Sequence, residues 1–149
     1  MKILIINGVN MNMLGIREPE KYGSMTLKEL EKELYSYSFE LGVDIETYQS
    51  NYEGDIVEKI HSAYNNFDGI VINPAAFTHT SVAIRDAVSA VNIPAVEVHM
   101  TNIQQREDFR HDSFIAPVCV AQICGFGKDC YKLGLQGIVN YLKTNSNQQ

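Results

Sequence analysis

The chain has 149 residues, of which 45% are hydrophobic and 20% are charged, and its formal net charge is −6. This length fits one domain that buries a sizeable core. The acidic balance, without a basic stripe, argues against nucleic acid as a partner but allows a small anionic substrate in a locally basic pocket.

The cysteine pattern and the amino-terminal residues indicate in which cellular compartment the protein lies. Cys119, Cys124 and Cys130 are an odd number and form no CxxC motif, which argues against a disulfide framework. Too few apolar residues precede Asn7 for a secretion signal, and no run reaches membrane-spanning length. We therefore expect a cytoplasmic protein that has no membrane contact.

Strands and helices are predicted to alternate along the chain. Apolar runs and short alternating segments indicate strands at 2–6, 43–49, 69–72, 95–99 and 118–123. Helical periodicity predicts helices at 26–41, 55–64, 81–91 and 128–142, with a short one at 102–109. We expect one catalytic domain at 1–143 and a polar, disordered tail at 144–149.

Several residues mark where the helices begin and end. Thr26 and Glu29 are spaced as a capping box, and Gly42 stands where a carboxyl-terminal glycine is expected. Thr80 or Ser81 is expected to cap the third helix. The side chains predicted to face inward are Leu27, Leu30, Leu34, Tyr37, Leu41, Ile56, Val57, Ile60, Tyr64, Leu133, Ile138 and Leu142.

This alternation predicts a flavodoxin-like α/β fold. Right-handed crossovers place the strands in a five-stranded parallel sheet, with helices on both faces and strand order 2-1-3-4-5. In such sheets a ligand binds beyond the carboxyl ends of the strands, where the order reverses between strands 1 and 3. Functional side chains are therefore expected at that edge.

Polar residues follow the strands at that edge. The connection at 7–23 is unusually long and carries Asn10, Arg17 and Tyr22, so we expect it to have a function. Asn73 follows strand 3 and His99 closes strand 4. These loops are predicted to meet at one site.

Each candidate also has a purely structural explanation. Asn73 suits an ordinary turn, and His79 could be a surface residue beside a helix cap. Glu97 and His99 share one face of an interior strand, where a structural ion pair or a functional pair is possible. Arg106 and Arg110 could form a solvated face or an anion pocket, with the backbone N–H groups after His99 as further anion donors.

Metal and nucleotide sites are not predicted. The chain has no HExxH motif and no histidine pair at helical spacing, and it lacks GxGxxG and GxxxxGK[ST]. We expect no metal and no cofactor.

Eight segments together resemble type II 3-dehydroquinate dehydratases. They are Asn-Gly-x-Asn-x-Asn-x-Leu-Gly-x-Arg-Glu-Pro-x-x-Tyr-Gly (7–23), Ser-Asn-x-Glu-Gly (50–54), Ile-Asn-Pro-Ala-Ala-x-Thr-His-Thr-Ser (72–81), Ile-Arg-Asp-Ala (84–87), Val-Glu-Val-His (96–99), Thr-Asn (101–102), Arg-Glu-x-Phe-Arg (106–110) and Gly-Phe-Gly (125–127). The resemblance covers nearly the whole chain. It departs at Val9, where the family usually has proline, and at Ala121 and Cys130, which are commonly glycine.

The resemblance implies a cofactor-free dehydration of 3-dehydroquinate to 3-dehydroshikimate, in the shikimate and quinate pathways, by a dodecamer built as a tetramer of trimers. It assigns Tyr22 as the base beside Arg17, and Asn10 as the residue that positions a water at the enolate. His99 is the acid, held by Glu97. The implied substrate-binding residues are Asn73, His79, Met100, Thr101, Arg110 and, from a neighbouring subunit, Asp86.

General chemistry agrees with these implied roles. A phenol in water has a pKa of about 10, so a phenol that acts as a base near neutrality requires a cation such as Arg17. The alternative function is a non-catalytic sensor of a hydroxylated carboxylate, which would need neither base nor acid. A Schiff-base route is not expected, because Lys21 is the one lysine in the predicted site loops and its neighbour Glu20 favours the charged amine.

Overall fold

A parallel sheet forms the centre of the molecule in the computed structural model, which describes residues 1–148. Its strands are β1 (Lys2–Asn7), β2 (Asp44–Gln49), β3 (Gly69–Asn73), β4 (Ala95–His99) and β5 (Ala121–Cys124). All neighbouring strands are parallel and their order is β2-β1-β3-β4-β5. The predicted fold and strand order are therefore confirmed.

Helices cover both faces of this sheet. They are α1 (Pro19–Tyr22), α2 (Leu27–Leu41), α3 (Glu53–Ser62), α4 (Val82–Val91) and α5 (Asp129–Ser146). Ile3 and Ile5 of β1 face the apolar layer that α2 and α5 cover, whereas Leu4 and Ile6 face the layer of α3 and α4. Because β1 is buried on both faces, its sequence is a continuous apolar run rather than an alternating one.

Side chains cap two helices as predicted. The Thr26 hydroxyl accepts from the Glu29 N–H at 3.2 Å, and the Glu29 carboxylate accepts from the Thr26 N–H at 2.8 Å. Gly42 ends α2 in the left-handed region at φ 71°. Ser81, rather than Thr80, caps α4 by accepting from the Ile84 N–H at 2.9 Å. These local interactions fix where the helices begin and end.

The last strand and the segment before it differ from the prediction. Residues 102–109 form no α-helix. They fold into 3₁₀ turns at Ile103–Gln105 and Asp108–Arg110. The fifth strand begins at Ala121 instead of residue 118, because a further 3₁₀ turn at Ala116–Val118 contains Pro117 and delays the extended backbone.

Two side chains predicted to face inward are exposed. Tyr64 is 60% exposed because α3 ends at Ser62 and leaves it in a turn. Leu133 is 45% exposed because α5 packs through a different face, which includes Tyr131 and Leu135.

The prediction of a disordered tail at 144–149 is partly wrong. Helix α5 continues to Ser146, so residues 144–146 are helical. Gln149 lies outside the described residues. None of the helices within residues 1–148 is both long enough and apolar enough to cross a membrane.

Candidate active site

Loops at the carboxyl edge of the sheet enclose a cavity. The residues that line it come from the loop after β1, from the turns after β3 and β4, and from the 3₁₀ turns that follow. They are Met11, Arg17, Tyr22, Asn73, Ala75, Ala76, His79, His99, Met100, Thr101, Ile103, Arg106 and Arg110. The strand order places these segments together, as the topology predicted.

Close packing joins the first two loops. The Gly8 N–H donates to the Asn73 carbonyl at 2.8 Å. A Cβ atom at Gly8 would lie 2.3 Å from the Pro74 carbonyl oxygen, so a side chain at Gly8 would force the loops apart. Ala75 adopts a positive φ of 54° in the same turn, a conformation that costs energy for a residue with a side chain. Strain of this kind is found at ligand sites.

Tyr22 lies near two guanidinium groups. It is carried on the short helix α1, which Glu18 and Gly23 flank at positive φ. The Arg17 Cζ is 5.5 Å from the centre of the Tyr22 ring, and the Arg106 Cζ is 5.6 Å from it. Guanidinium groups at this distance are close enough for cation–π contacts with the ring.

Arg106, for which the sequence left open a solvated face or an anion pocket, lines the cavity. Its side chain is 14% exposed, and its nearest carboxylate is that of Glu107, with Nε and Oε2 3.8 Å apart. Among residues 1–148 its buried Nε has no hydrogen-bond partner. A buried cation with a free donor that faces a cavity is suited to binding an anionic group.

Glu97 and His99 form the predicted pair on β4. Glu97 is fully buried, His99 is 6% exposed, and the Glu97 Oε2 lies 3.4 Å from the His99 Nε2. Ser113 Oγ donates to Glu97 at 2.7 Å and Gln122 Nε2 donates to it at 2.5 Å. Burial opposes ionisation, but the contacts with His99, Ser113 and Gln122 outweigh it and hold the pKa of Glu97 below its ordinary value.

His79 lies near His99 at the cavity wall. The two ring centres are 6.5 Å apart. The His79 Nδ1 is 2.7 Å from the Asp112 carbonyl, which can only accept, so Nδ1 carries the proton. Burial lowers the pKa of His79, and the charge of Arg110 acts in the same direction. His79 is therefore neutral near pH 7, with Nε2 as its free acceptor.

The remaining predicted site residues differ in placement. Asn73, Met100, Thr101 and Arg110 line the cavity. Asn10 lies beside it, in a smaller pocket lined by Met11, Leu14, Arg17 and Tyr22. Asp86 is exposed on α4 and does not line the cavity of the described chain.

The model of the family dehydroquinase class II matches residues 1–139. The 3-dehydroquinate dehydratase of Geotalea daltonii is 57% identical over 143 residues, which are 96% of this chain and 99% of that protein.

The chain belongs to the dehydroquinase class II family.

Other relatives agree with this assignment. The 3-dehydroquinate dehydratase of Acaryochloris marina is 55% identical over 97% of each chain. The crystal structure of the type II dehydroquinase of Butyrivibrio crossotus superposes with a TM-score of 0.90 at 47% identity, over 96% of this chain and 97% of that one. The region that matches the dehydroquinase model includes every residue that lines the cavity.

Proposed function

We propose that this chain is a type II 3-dehydroquinate dehydratase, which eliminates water from 3-dehydroquinate to give 3-dehydroshikimate through an enolate. Family membership and relatives that bear this name support the reaction. The observation that carries the mechanism is that Tyr22, with two guanidinium groups near its ring, lines the same cavity as His99, which Glu97 contacts.

Tyr22 acts as the base in this proposal. The substrate proton to be removed lies on the carbon next to a ketone, and its loss creates an enolate. The phenolate oxygen of Tyr22 accepts this proton, and the guanidinium groups of Arg17 and Arg106 lie beside the ring. Tyr22 returns to the phenol as the enolate forms.

Asn10 supports the enolate through a water molecule. The developing negative charge on the ketone oxygen needs a donor at the reacting centre. The Asn10 side chain lies in the small pocket beside Tyr22, and its backbone N–H is held by the Asn51 side chain at 2.9 Å. A water oriented by the Asn10 amide supplies the donor.

His99 acts as the acid. Collapse of the enolate expels the C1 hydroxyl, which leaves as water once it takes a proton from the imidazolium. The buried negative charge of Glu97 stabilises that imidazolium at 3.4 Å. The products are the conjugated enone and one water molecule. Loss of a proton from the Tyr22 phenol to solvent and uptake of a proton by His99 then restore the starting states of both residues.

The substrate carboxylate and hydroxyl groups bind around these catalytic residues. Asn73, the backbone N–H groups of Met100 and Thr101, His79 and Arg110 supply the binding groups. Asp86 acts from a neighbouring subunit, which is consistent with its exposure on α4.

Assembly, compartment and domain limits complete the proposal. We infer a dodecamer, a tetramer of trimers, in which residues 1–143 form the single catalytic domain. The cysteines of the described chain are free thiols, which favours the reducing cytoplasm. Light scattering of an active sample tests the assembly, because an active monomer would contradict the role of Asp86 as a residue from a second subunit.

The competing function is a sensor that binds a hydroxylated carboxylate without reaction. Purified protein is mixed with 3-dehydroquinate and the ultraviolet absorbance of the conjugated enone is followed. A catalytic rise that scales with protein concentration is expected. Binding by calorimetry without any rise in absorbance would favour the sensor.

A further inference from the structure

A buried hydroxyl group lies behind the cavity, on α5. Tyr131 is fully buried and its Oη lies 2.5 Å from the Asn7 Oδ1 and 2.8 Å from the Asn73 Nδ2. Asn7 and Asn73 are paired in the register of β1 and β3, so both side chains project towards the layer that α5 covers. The phenol therefore bridges the carboxyl ends of two strands at the point where the strand order reverses.

The direction of each hydrogen bond in this bridge follows from the groups involved. The Asn73 Nδ2 can only donate, so the Tyr131 oxygen accepts from it. The phenolic proton is then directed to the Asn7 Oδ1. At the other end of the Asn73 amide, Oδ1 accepts from the Ala75 N–H at 3.0 Å. Both ends of the amide are thus held in one orientation.

This orientation determines which group Asn73 offers to a ligand. One hydrogen of its Nδ2 is directed to Tyr131. The second hydrogen has the Met11 sulfur as its acceptor, 3.7 Å from Nδ2, and a thioether is a weak acceptor. Asn73 lines the cavity, so its second N–H is available to a stronger acceptor there. With the amide turned over, Asn73 would present an oxygen instead.

We propose that Tyr131 is a positioning residue that holds the Asn73 amide so that its N–H, and not its carbonyl, binds an acceptor oxygen of the substrate. The natural acceptor is a carboxylate or hydroxyl oxygen of a hydroxylated carboxylate. This inference rests on the proposed function, because it assumes that 3-dehydroquinate occupies the cavity.

A packing role for Tyr131 makes a different prediction. Its ring belongs to the apolar layer between the sheet and α5, and a role limited to that layer would depend on the ring and not on the hydroxyl. Tyr131→Phe keeps the ring and removes the hydroxyl. It therefore separates positioning from packing.

The test compares Tyr131→Phe with Tyr37→Phe. Tyr37 also donates its hydroxyl to a side-chain amide, that of Gln136 at 3.1 Å, but it lies on α2 and does not line the cavity. For Tyr131→Phe we expect KM for 3-dehydroquinate to rise about fivefold to tenfold, the effect of losing one oriented hydrogen bond, while kcat changes less. Tyr37→Phe should keep the KM of the unmodified enzyme.

A double-mutant cycle with Asn73→Ala completes the test. Without the Asn73 amide, Tyr131→Phe should no longer raise KM. Three results would overturn the inference. They are an unchanged KM in Tyr131→Phe, a loss confined to kcat in that variant, and a rise in KM that is equally large when Tyr131→Phe is made in the Asn73→Ala background. Asn7→Ala provides a second variant of the same bridge, and failure of both variants to fold would assign the bridge to stability alone. An unmodified protein that does not turn over 3-dehydroquinate would instead overturn the proposed function.

Discussion

Replacement of Glu97 by glutamine removes the negative charge beside His99 and keeps the shape of the side chain. Ser113 Oγ already accepts from the N–H groups of Ile115 and Ala116, at 3.1 and 2.9 Å, so its own hydrogen must point to residue 97. The glutamine oxygen must therefore face Ser113, and its NH₂ group must face His99. The amide of Gln122, whose Nε2 donates to the same Glu97 Oε2, must turn over so that its oxygen accepts from the new NH₂ group. The His99 Nε2 then meets a donor and must act as a neutral acceptor, which is the wrong state for an acid.

The size of the effect follows from the distance between the charges. At 3.4 Å an imidazolium and a carboxylate attract each other by about 5 kcal/mol at an effective dielectric constant of about 20. Both groups are buried, so solvent screens this attraction little. The glutamine dipole recovers part of it. We therefore expect kcat of Glu97→Gln to fall by about two to three orders of magnitude, within the range of general acid catalysis.

The assay is the initial rate of enone formation under saturating 3-dehydroquinate. Glu46→Gln is the matched control. Glu46 lies on β2, pairs with Lys2 and Lys59, and does not line the cavity. Circular dichroism checks that both variants are folded. A folded Glu97→Gln enzyme that keeps kcat within about threefold of the unmodified value would refute the role of the Glu97 charge.

Three further predictions concern the cavity. Arg17→Lys keeps the charge beside Tyr22 but loses the planar guanidinium, so kcat should fall at least about tenfold, and a normal kcat would exclude a specific role for the guanidinium. Nitrogen NMR at pH 7 should find His79 neutral and protonated on Nδ1, and a cationic ring would contradict this assignment. Because the pKa of His79 is lowered on folding, its contribution to the free energy of unfolding is present above its ordinary value of 6.5 and is lost as the pH falls below that value. Borohydride added with substrate should leave both activity and protein mass unchanged, whereas a stable mass increase on a lysine such as Lys21 would replace the enolate mechanism by an imine.

Local sequence signals were sufficient for the fold. The alternation of strands and helices predicted the strand order, the short alternating segment at 95–99 gave β4 its observed limits, and Thr26 and Gly42 marked the ends of α2. The same alternation brought the loop of Tyr22 to the edge that carries His99. These features depend on neighbours in the chain or on rules of parallel sheets.

The missing parts of the site depend on contacts between distant residues. Tyr131 reaches Asn7 and Asn73 across sequence separations of 124 and 58 residues, and no periodic pattern reports such a contact. Arg106 reaches Tyr22 because its segment folds into 3₁₀ turns, whereas the sequence predicted an α-helix there. Ser113 holds Glu97 from an irregular loop, where sequence signals are weakest.

The central claim is that Tyr22 removes the substrate proton. Tyr22→Phe keeps the ring near the two guanidinium groups and removes the phenolic oxygen that is proposed to accept that proton. Enone formation from 3-dehydroquinate by this variant, measured beside the unmodified enzyme, should fall by at least about two orders of magnitude, while calorimetry finds that the substrate still binds. Turnover by folded Tyr22→Phe at a rate near that of the unmodified enzyme would show that another group is the base and would contradict the mechanism.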